Sequence, residues 1–240
     1  MAIRTPLCDL LGIKYPIMLA GMGGVSYAEL AAAVSNAGGF GTLGMAGLQP
    51  EEIRVQMKNV KDLTDKPFGV DLLAAVPESL ERTADIMIEE GAAAFISGLG
   101  VPTNILDKLH KAGMKVMNVC GTVKHAVAGE KAGLDAVIAQ GTEGGGHTGK
   151  VAGMALIPQV VDAVKTIPVI AAGSIIDGRG LAAALAFGAQ GVWMGTRFIA
   201  AKESHAGDMY RQVIVEAKDT DTIVTRCYSG KTMRVFNNPY

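Results

Sequence analysis

Short runs that are apolar at nearly every position alternate along this chain with longer segments in which apolar residues recur every three or four positions. The short runs are Pro16–Gly21, Phe40–Met45, Pro67–Leu73, Ala93–Gly98, Lys115–Cys120, Ala136–Gly141, Pro168–Ser174 and Gly191–Thr196, and they read as eight strands. Between them Tyr27–Ala37, Glu51–Leu63, Glu78–Glu90, Asn104–Lys111, Val123–Lys131, Leu156–Lys165 and Leu181–Phe187 read as amphipathic helices. Successive strands start 21 to 32 residues apart, the length of one strand, one helix and two short loops. A strand apolar at odd and even positions alike is covered on both faces, which places it in a parallel sheet. Ala37-Gly38, Ala112-Gly113, Ala132-Gly133 and Phe187-Gly188 each put a glycine where a helix must end and turn toward a strand. Eight such units close a (β/α)8 TIM barrel, whereas about five or six leave an open sheet. No linker, low-complexity tract or charge block divides the sequence. One domain over residues 1–240 is expected, with the barrel core at about 16–218.

Composition agrees with this reading and removes several function classes. Hydrophobic residues make up 49% of the 240 positions and aromatics only 5%, which suits a barrel interior of short branched side chains. Lys and Arg number 22 and Asp and Glu 23, a formal net charge of −1, so no long-range field attracts a nucleic-acid backbone or an anionic membrane. Cys8, Cys120 and Cys227 are far apart and form no Cys-x-x-Cys pair, so neither a zinc site nor a disulfide framework is supported. The N-terminal Met-Ala-Ile-Arg-Thr-Pro lacks the apolar core of a secretory leader, and charges or glycines interrupt every apolar run before membrane-spanning length. The expectation is a protein of the reducing cytoplasm that binds no metal.

In a barrel of this kind the chemistry sits where the strands end. After the first predicted strand comes Ala20-Gly21-Met22-Gly23-Gly24, a backbone that a flat ligand can approach closely. After the sixth comes Gln140-Gly141-Thr142-Glu143-Gly144-Gly145-Gly146-His147-Thr148-Gly149, in which five glycines surround one carboxylate and one imidazole four residues apart. His147 emerges from this loop at the catalytic rim, and imidazole is the side chain suited to moving protons near neutral pH. His110, His125 and His205 fall on or beside predicted helices and read as structural. After the seventh strand come Ala171-Ala172-Gly173-Ser174 and Asp177-Gly178-Arg179-Gly180, and after the eighth Met194-Gly195-Thr196-Arg197. Two glycine-rich loops on neighbouring strands, with hydroxyls at Ser174 and Thr196, charge at Arg197 and helix N-termini nearby, point to a phosphate site.

Five of these stretches together resemble the nitronate monooxygenase (2-nitropropane dioxygenase) family. They are Tyr15-Pro16-Ile17-Met18 through Gly24, Lys66-Pro67-Phe68-Gly69-Val70, Gln140 through Gly149, Pro168 through Ser174 with Asp177-Gly178, and Met194 through Phe198. The family includes FMN-dependent enoyl-acyl-carrier-protein reductases and related acyl-CoA-processing flavoproteins. The resemblance covers essentially the whole chain and implies an FMN-binding barrel with His147 as the catalytic histidine. By the same likeness Gly21, Met22 and Gly23 line the isoalloxazine ring, and Gln140 and Gly145 contact the ring or its ribityl chain. Ala172, Gly173, Ser174, Gly195 and Thr196 cradle the phosphate. The chain departs from the pattern in three places. Asp71, also expected beside the cofactor, stands where many members have Asn, and as a carboxylate it would accept rather than donate a hydrogen bond to the ring. Ser174 stands in a position that is often Gly. The sequence ends at Asn238-Pro239-Tyr240, where most members continue into a helical segment that helps close the substrate pocket.

Three functions are open to such a chain. The first is a nitronate monooxygenase, oxidising an alkyl nitronate with O2 to an oxo compound and nitrite, with His147 as base or electrostatic partner. The second is an NAD(P)H-dependent enoyl-thioester reductase acting on an acyl-carrier-protein or CoA substrate, in which His147 helps to place the proton. The third is a barrel that binds a phosphorylated ligand without redox work. The apolar tail after Thr222, with Ile223, Val224, Tyr228, Val235 and Phe236, has no barrel strand to join. It is expected to pack along the barrel or against a second subunit in a homodimer.

Overall fold

The structure, a computed structural model, describes residues 3–73 and 77–237; the termini read above at Met1-Ala2 and Asn238–Tyr240 lie outside these. In chain order the elements are α1 (Pro6–Leu11), β1 (Ile17–Leu19), α2 (Ala28–Asn36), β2 (Gly41–Gly44), α3 (Pro50–Leu63), β3 (Phe68–Leu73), α4 (Pro77–Glu89), β4 (Ala94–Gly98) and α5 (Leu106–Lys111). There follow β5 (Lys115–Cys120), α6 (Val123–Ala132), β6 (Ala136–Gln140), β7 (Gly146–His147), α7 (Gly153–Ala163), β8 (Val169–Ala172), α8 (Gly178–Ala186) and β9 (Gly191–Met194). The chain continues through α9 (Thr196–Ile199), α10 (Asp208–Glu216), β10 (Thr222–Thr225) and β11 (Met233–Phe236).

Eight strands form one parallel sheet in the order β1-β9-β8-β6-β5-β4-β3-β2. Its two ends meet. Met18 bridges Phe40 in parallel, the Leu19 N–H donates to the Phe40 carbonyl at 2.9 Å, and the Phe40 N–H donates to the Ile17 carbonyl at 2.9 Å. The sheet is therefore a (β/α)8 barrel, as its apolar runs predict. Alternate residues of each strand feed two separate cores. Met18, Ile96, Met117, Ile138, Ile170 and Trp193 point into the barrel, while Leu19, Phe95, Val116, Val137, Ala171 and Val192 pack outward under the helices. That division is why the strands are apolar at every position.

All four glycines expected at helix ends take positive φ: Gly38 at 94°, Gly113 at 81°, Gly133 at 94° and Gly188 at 90°. Two helices start ahead of their apolar pattern, where a carboxylate accepts from the first turn. Helix α7 begins three residues before the expected Leu156, where the Glu143 carboxylate accepts the Gly153 N–H at 2.9 Å. Helix α8 begins three residues before Leu181, where Asp177 accepts the Arg179 N–H at 2.9 Å.

Two parts of the fold lie outside the strand-helix alternation. Helix α1 plugs the N-terminal end of the barrel, with Leu7, Cys8 and Leu11 buried among the inward side chains. The apolar tail forms the β10–β11 hairpin. This hairpin pairs antiparallel with β7 and makes a second, three-stranded sheet at the barrel mouth, with Met233 opposite His147. No described helix is long and apolar enough to cross a membrane.

Helix α2 lies directly on β2, and the contact admits no side chain at Gly41. A Cβ there would stand 2.0 Å from the Ala31 carbonyl oxygen and 2.7 Å from the Ser35 hydroxyl. Gly41→Ala is expected to lower unfolding free energy by about 1–3 kcal/mol, the usual cost of overpacking. Urea unfolding followed by circular dichroism reads it, and an unchanged midpoint would show that α2 does not bear on the strand.

Candidate active site

The loops that leave β1, β6, β8 and β9 meet over the C-terminal end of the barrel. Each residue expected at the site lies on one of them or on the strand ends beneath. Gln140 and Ala172 are register partners in the sheet, and Ala172 also pairs with Trp193. A Cβ on Gly195 would lie 3.3 Å from the Met22 sulfur, and one on Gly145 would lie 3.5 Å from the Thr196 hydroxyl. Gly173 faces the Gly141 carbonyl and the Gly144 N–H. Gly23, Gly145, Ser174 and Thr196 are exposed on the rim, whereas Gly21, Met22, Asp71, Gln140, Gly173, Gly195 and His147 are half-buried lower down. One open mouth thus collects all twelve.

The glycine loop after β6 is folded tightly. The Gly141 N–H donates to Ala172 at 3.0 Å, the Gly144 N–H to Gly141 at 3.0 Å, and the Thr142 N–H to Val151 at 2.9 Å. The Gln140 amide donates to the His147 carbonyl at 3.0 Å, and the Thr148 hydroxyl to the Gly141 carbonyl at 3.0 Å. On its way back the loop crosses the end of β5, glycine against glycine: a Cβ on Gly121 would stand 2.9 Å from the Gly149 Cα. Glu143, one of the two chemically active side chains in the loop, turns away from His147 and caps α7. It is a structural carboxylate.

His147 sits on β7, and its Nε2 lies 2.7 Å from the Ser229 hydroxyl at the tip of the β10–β11 hairpin. The Thr148 N–H donates to the Thr232 carbonyl at 3.1 Å, and Arg234 donates through Nε to the Thr142 carbonyl at 3.2 Å. Ser229 and Arg234 were absent from the sequence expectation. The alternating Thr222–Thr225 and Met233–Phe236 runs around a Gly-bearing turn signal a hairpin, but nothing local says that it docks on the glycine loop.

Asp71, at the end of β3, stands apart from every other acid in the site. A Cβ on Gly21 would lie 2.2 Å from the Asp71 Cβ and 2.4 Å from its Oδ2, so the carboxyl is pressed against the bare backbone of the β1 loop. Among the described residues no donor or cation meets its oxygens, and burial pushes its pKa well above the ordinary carboxylate range. Phosphate-type donors are arranged differently from the expectation. The N-terminus of α8 is closed by its own Asp177, which also pairs with Arg179 at 2.6 Å. The β8 loop instead holds two consecutive left-handed residues, Gly173 at φ 99° and Ser174 at φ 53°.

The remaining nucleophiles and histidines lie elsewhere. Burial raises the Cys120 thiol to about 12, so it is not a thiolate. His110 Nε2 lies 2.9 Å from Asp135, and His205 stacks on Tyr27 with ring centroids 4.6 Å apart. Among the described residues no cluster of His, Cys, Asp and Glu could hold a metal ion.

A closed parallel barrel whose glycine loops converge on a half-buried acid and a rim histidine defines a barrel enzyme with its site at the strand ends. The family is also shown by sequence: the nitronate monooxygenase model matches residues 4–240, and the chain belongs to that family of flavin-dependent oxidoreductases. It is 44% identical over 237 residues to the (3aS,4S,5R,7aS)-5-hydroxy-7a-methyl-1-oxo-octahydro-1H-indene-4-carboxyl-CoA dehydrogenase of Mycobacterium tuberculosis. That match covers 98% of this chain and 66% of the relative. It is 36% identical to a probable nitronate monooxygenase of Staphylococcus saprophyticus, over the full chain and 80% of the relative. FabK from Thermotoga maritima superposes with a TM-score of 0.94 at 42% identity, covering 99% of this chain and 76% of that one.

Ser174 holds a left-handed conformation that costs a side-chain-bearing residue roughly 1–2 kcal/mol, against the roughly 0.5–1 kcal/mol that glycine loses in unfolded freedom. Ser174→Gly should therefore raise stability by about 0.5–1 kcal/mol. Denaturant titration reads the shift, and a fall in stability would reveal a compensating bond to the hydroxyl.

Proposed function

We propose that the protein is an FMN-dependent nitronate monooxygenase, oxidising alkyl nitronates with O2 to an oxo compound and nitrite. The observation that carries this reading is the meeting of four glycine loops at the C-terminal end of the barrel, with a single imidazole at the rim. The residues fit the flavin. Gly21, Met22 and Gly23 present bare backbone to a flat ring, with the unpartnered Asp71 carboxyl beside it. Gln140 and Gly145 border the middle of the mouth. Ala172, Gly173, Ser174, Gly195 and Thr196 surround the phosphate position, where loop N–H groups and the Ser174 and Thr196 hydroxyls are the donors. Bound FMN supplies the redox chemistry itself.

The chain's own work is binding, orientation and proton management. His147 lies on a short strand braced by the hairpin, and Ser229 holds its ring at Nε2. As an imidazolium it draws an anionic nitronate; as an imidazole it takes the proton of a neutral nitroalkane. A second reading has its own support. The 44% identity to a carboxyl-CoA dehydrogenase favours a thioester substrate; in the reductase reading NAD(P)H is the hydride source and His147 places the proton. Anaerobic mixing separates the two: bleaching of the flavin by a nitronate alone supports the monooxygenase, and rapid bleaching by NADH or NADPH without nitronate supports the reductase.

The purified protein is expected to be yellow, with one FMN per chain. Colourless protein that takes up no added FMN would falsify the flavin reading. His147→Ala should preserve FMN binding and lower turnover by roughly 10²–10⁴, the range for loss of a general acid or base. Retention of most activity would make His147 a bystander. Ser229→Ala should act in the same direction but more weakly, because it frees the ring without removing it. The same change at His110, His125 or His205 should leave rates near normal.

A further inference from the structure

We infer that Asp71 is held as a neutral carboxyl and donates its O–H to an acceptor on the ligand bound over the barrel mouth, so that binding there depends on one proton. Three geometric facts lead to it. First, backbone hems the side chain in: Gly21 lies against its Cβ and Oδ2, and a Cβ on Gly98 would stand 4.0 Å from Oδ1. The carboxyl is thus wedged between the ends of β1 and β4. Second, nothing around it offsets charge. Its sheet partners are Gly44 on β2 and Ile96 on β4, and the β1 loop turns Gly21 toward it. No described residue facing it from these elements is charged or titratable, and its oxygens accept no hydrogen bond there. Third, it is only half-buried and lies against the β1 loop, on which Gly21, Met22 and Gly23 are expected to contact the ligand.

An isolated carboxylate in such a pocket is strongly disfavoured, and a group so placed keeps its proton instead. Burial acts in this direction at Asp71. A protonated carboxyl carries one O–H donor and one carbonyl acceptor, the same pair that an asparagine side chain presents. The acid therefore donates where its ionised form would only accept and repel. A neutral group at this position also suits an anionic substrate, which a carboxylate would oppose. The nature of the acceptor, a carbonyl or ring nitrogen of the flavin, rests on the flavin reading; the neutral state of Asp71 does not.

The test compares wild type with Asp71→Asn in two measurements. The first is ligand-free unfolding from pH 4 to 8. An acid whose folded pKa lies above its unfolded value of about 3.9 stabilises fully below that value, and this stability is lost as pH rises through the folded pKa. The unfolding constant of wild type should therefore rise relative to Asp71→Asn by about tenfold per pH unit across that window. A ratio flat with pH overturns the inference. Difference infrared spectra of the two folded proteins should also show a neutral carboxyl C=O band that is absent from the variant. Lack of that band at neutral pH overturns it equally.

The second measurement is FMN binding to the apoprotein by fluorescence quenching. Wild-type affinity should weaken above the folded pKa of Asp71, while Asp71→Asn stays flat and near the low-pH wild-type value. Matching pH profiles in the two proteins overturn the donor role. If neither protein binds FMN at any pH while the unfolding ratio keeps its slope, the flavin reading fails and the neutral acid stands.

Discussion

The site depends on loops that approach one another, and the strands below, at backbone distance. Where the β6 loop recrosses β5, Gly121 and Gly149 touch through their main chains. Where it folds over its own base, a Cβ on Gly141 would lie 2.5 Å from the Gly153 N–H and 2.3 Å from Glu143 Oε2. A Cβ on Gly44 would lie 2.1 Å from the Met22 nitrogen. One methyl group at any of these points would lift a loop off the barrel. His147 would then lose its register with Met233, and Met22 its place beside Gly195. The glycines are spacers that set how far each loop stands above the strands.

Against this frame the polar groups divide sharply. Glu90, nearly buried under α3 and α4, is met by Arg54 at 3.0 Å and by Lys61. Asp135 is met by His110, Lys115 and the Val116 N–H. Glu143 and Asp177 each cap a helix. All four are acids whose charge is matched by a donor or cation that the fold itself provides. Asp71 is given nothing of the kind among the described residues, so its hydrogen-bonding capacity remains for a ligand. The half-buried acid and the rim histidine stand on opposite kinds of support: Asp71 on bare backbone, His147 on a hydrogen bond from a distant hairpin.

Much of this is readable from residue order. The strands are apolar at both parities because they face two cores, and the four Ala-Gly or Phe-Gly steps end helices because only glycine enters the left-handed region freely. The mouth residues, too, are legible one by one as glycines, hydroxyls and a histidine just after strands. What escapes is anything whose partner lies far along the chain. Helix α1 belongs to no strand-helix unit of the pattern, yet its Leu7, Cys8 and Leu11 close the barrel floor. The tail looks like a stray apolar segment until β11 pairs with β7. Glu143 looks like half of an acid-base pair until the Gly153 N–H claims it.

Asp71 marks the boundary most clearly. Its sequence neighbours, Phe68-Gly69-Val70, announce a strand end at a binding site, and the residue type announces a carboxylate. Its unpaired state is written nowhere in that segment, because it depends on which residues β1, β2 and β4 bring alongside. The sequence by itself determined the barrel, the strand ends and the inventory of groups at the mouth, since periodicity and turn chemistry act over a few residues. Only the tertiary structure decided which group is braced and which is left alone. Ser229 meets His147 across 82 residues, and Gly21 meets Asp71 across the barrel seam, contacts chosen by strand register and close packing rather than by local preference.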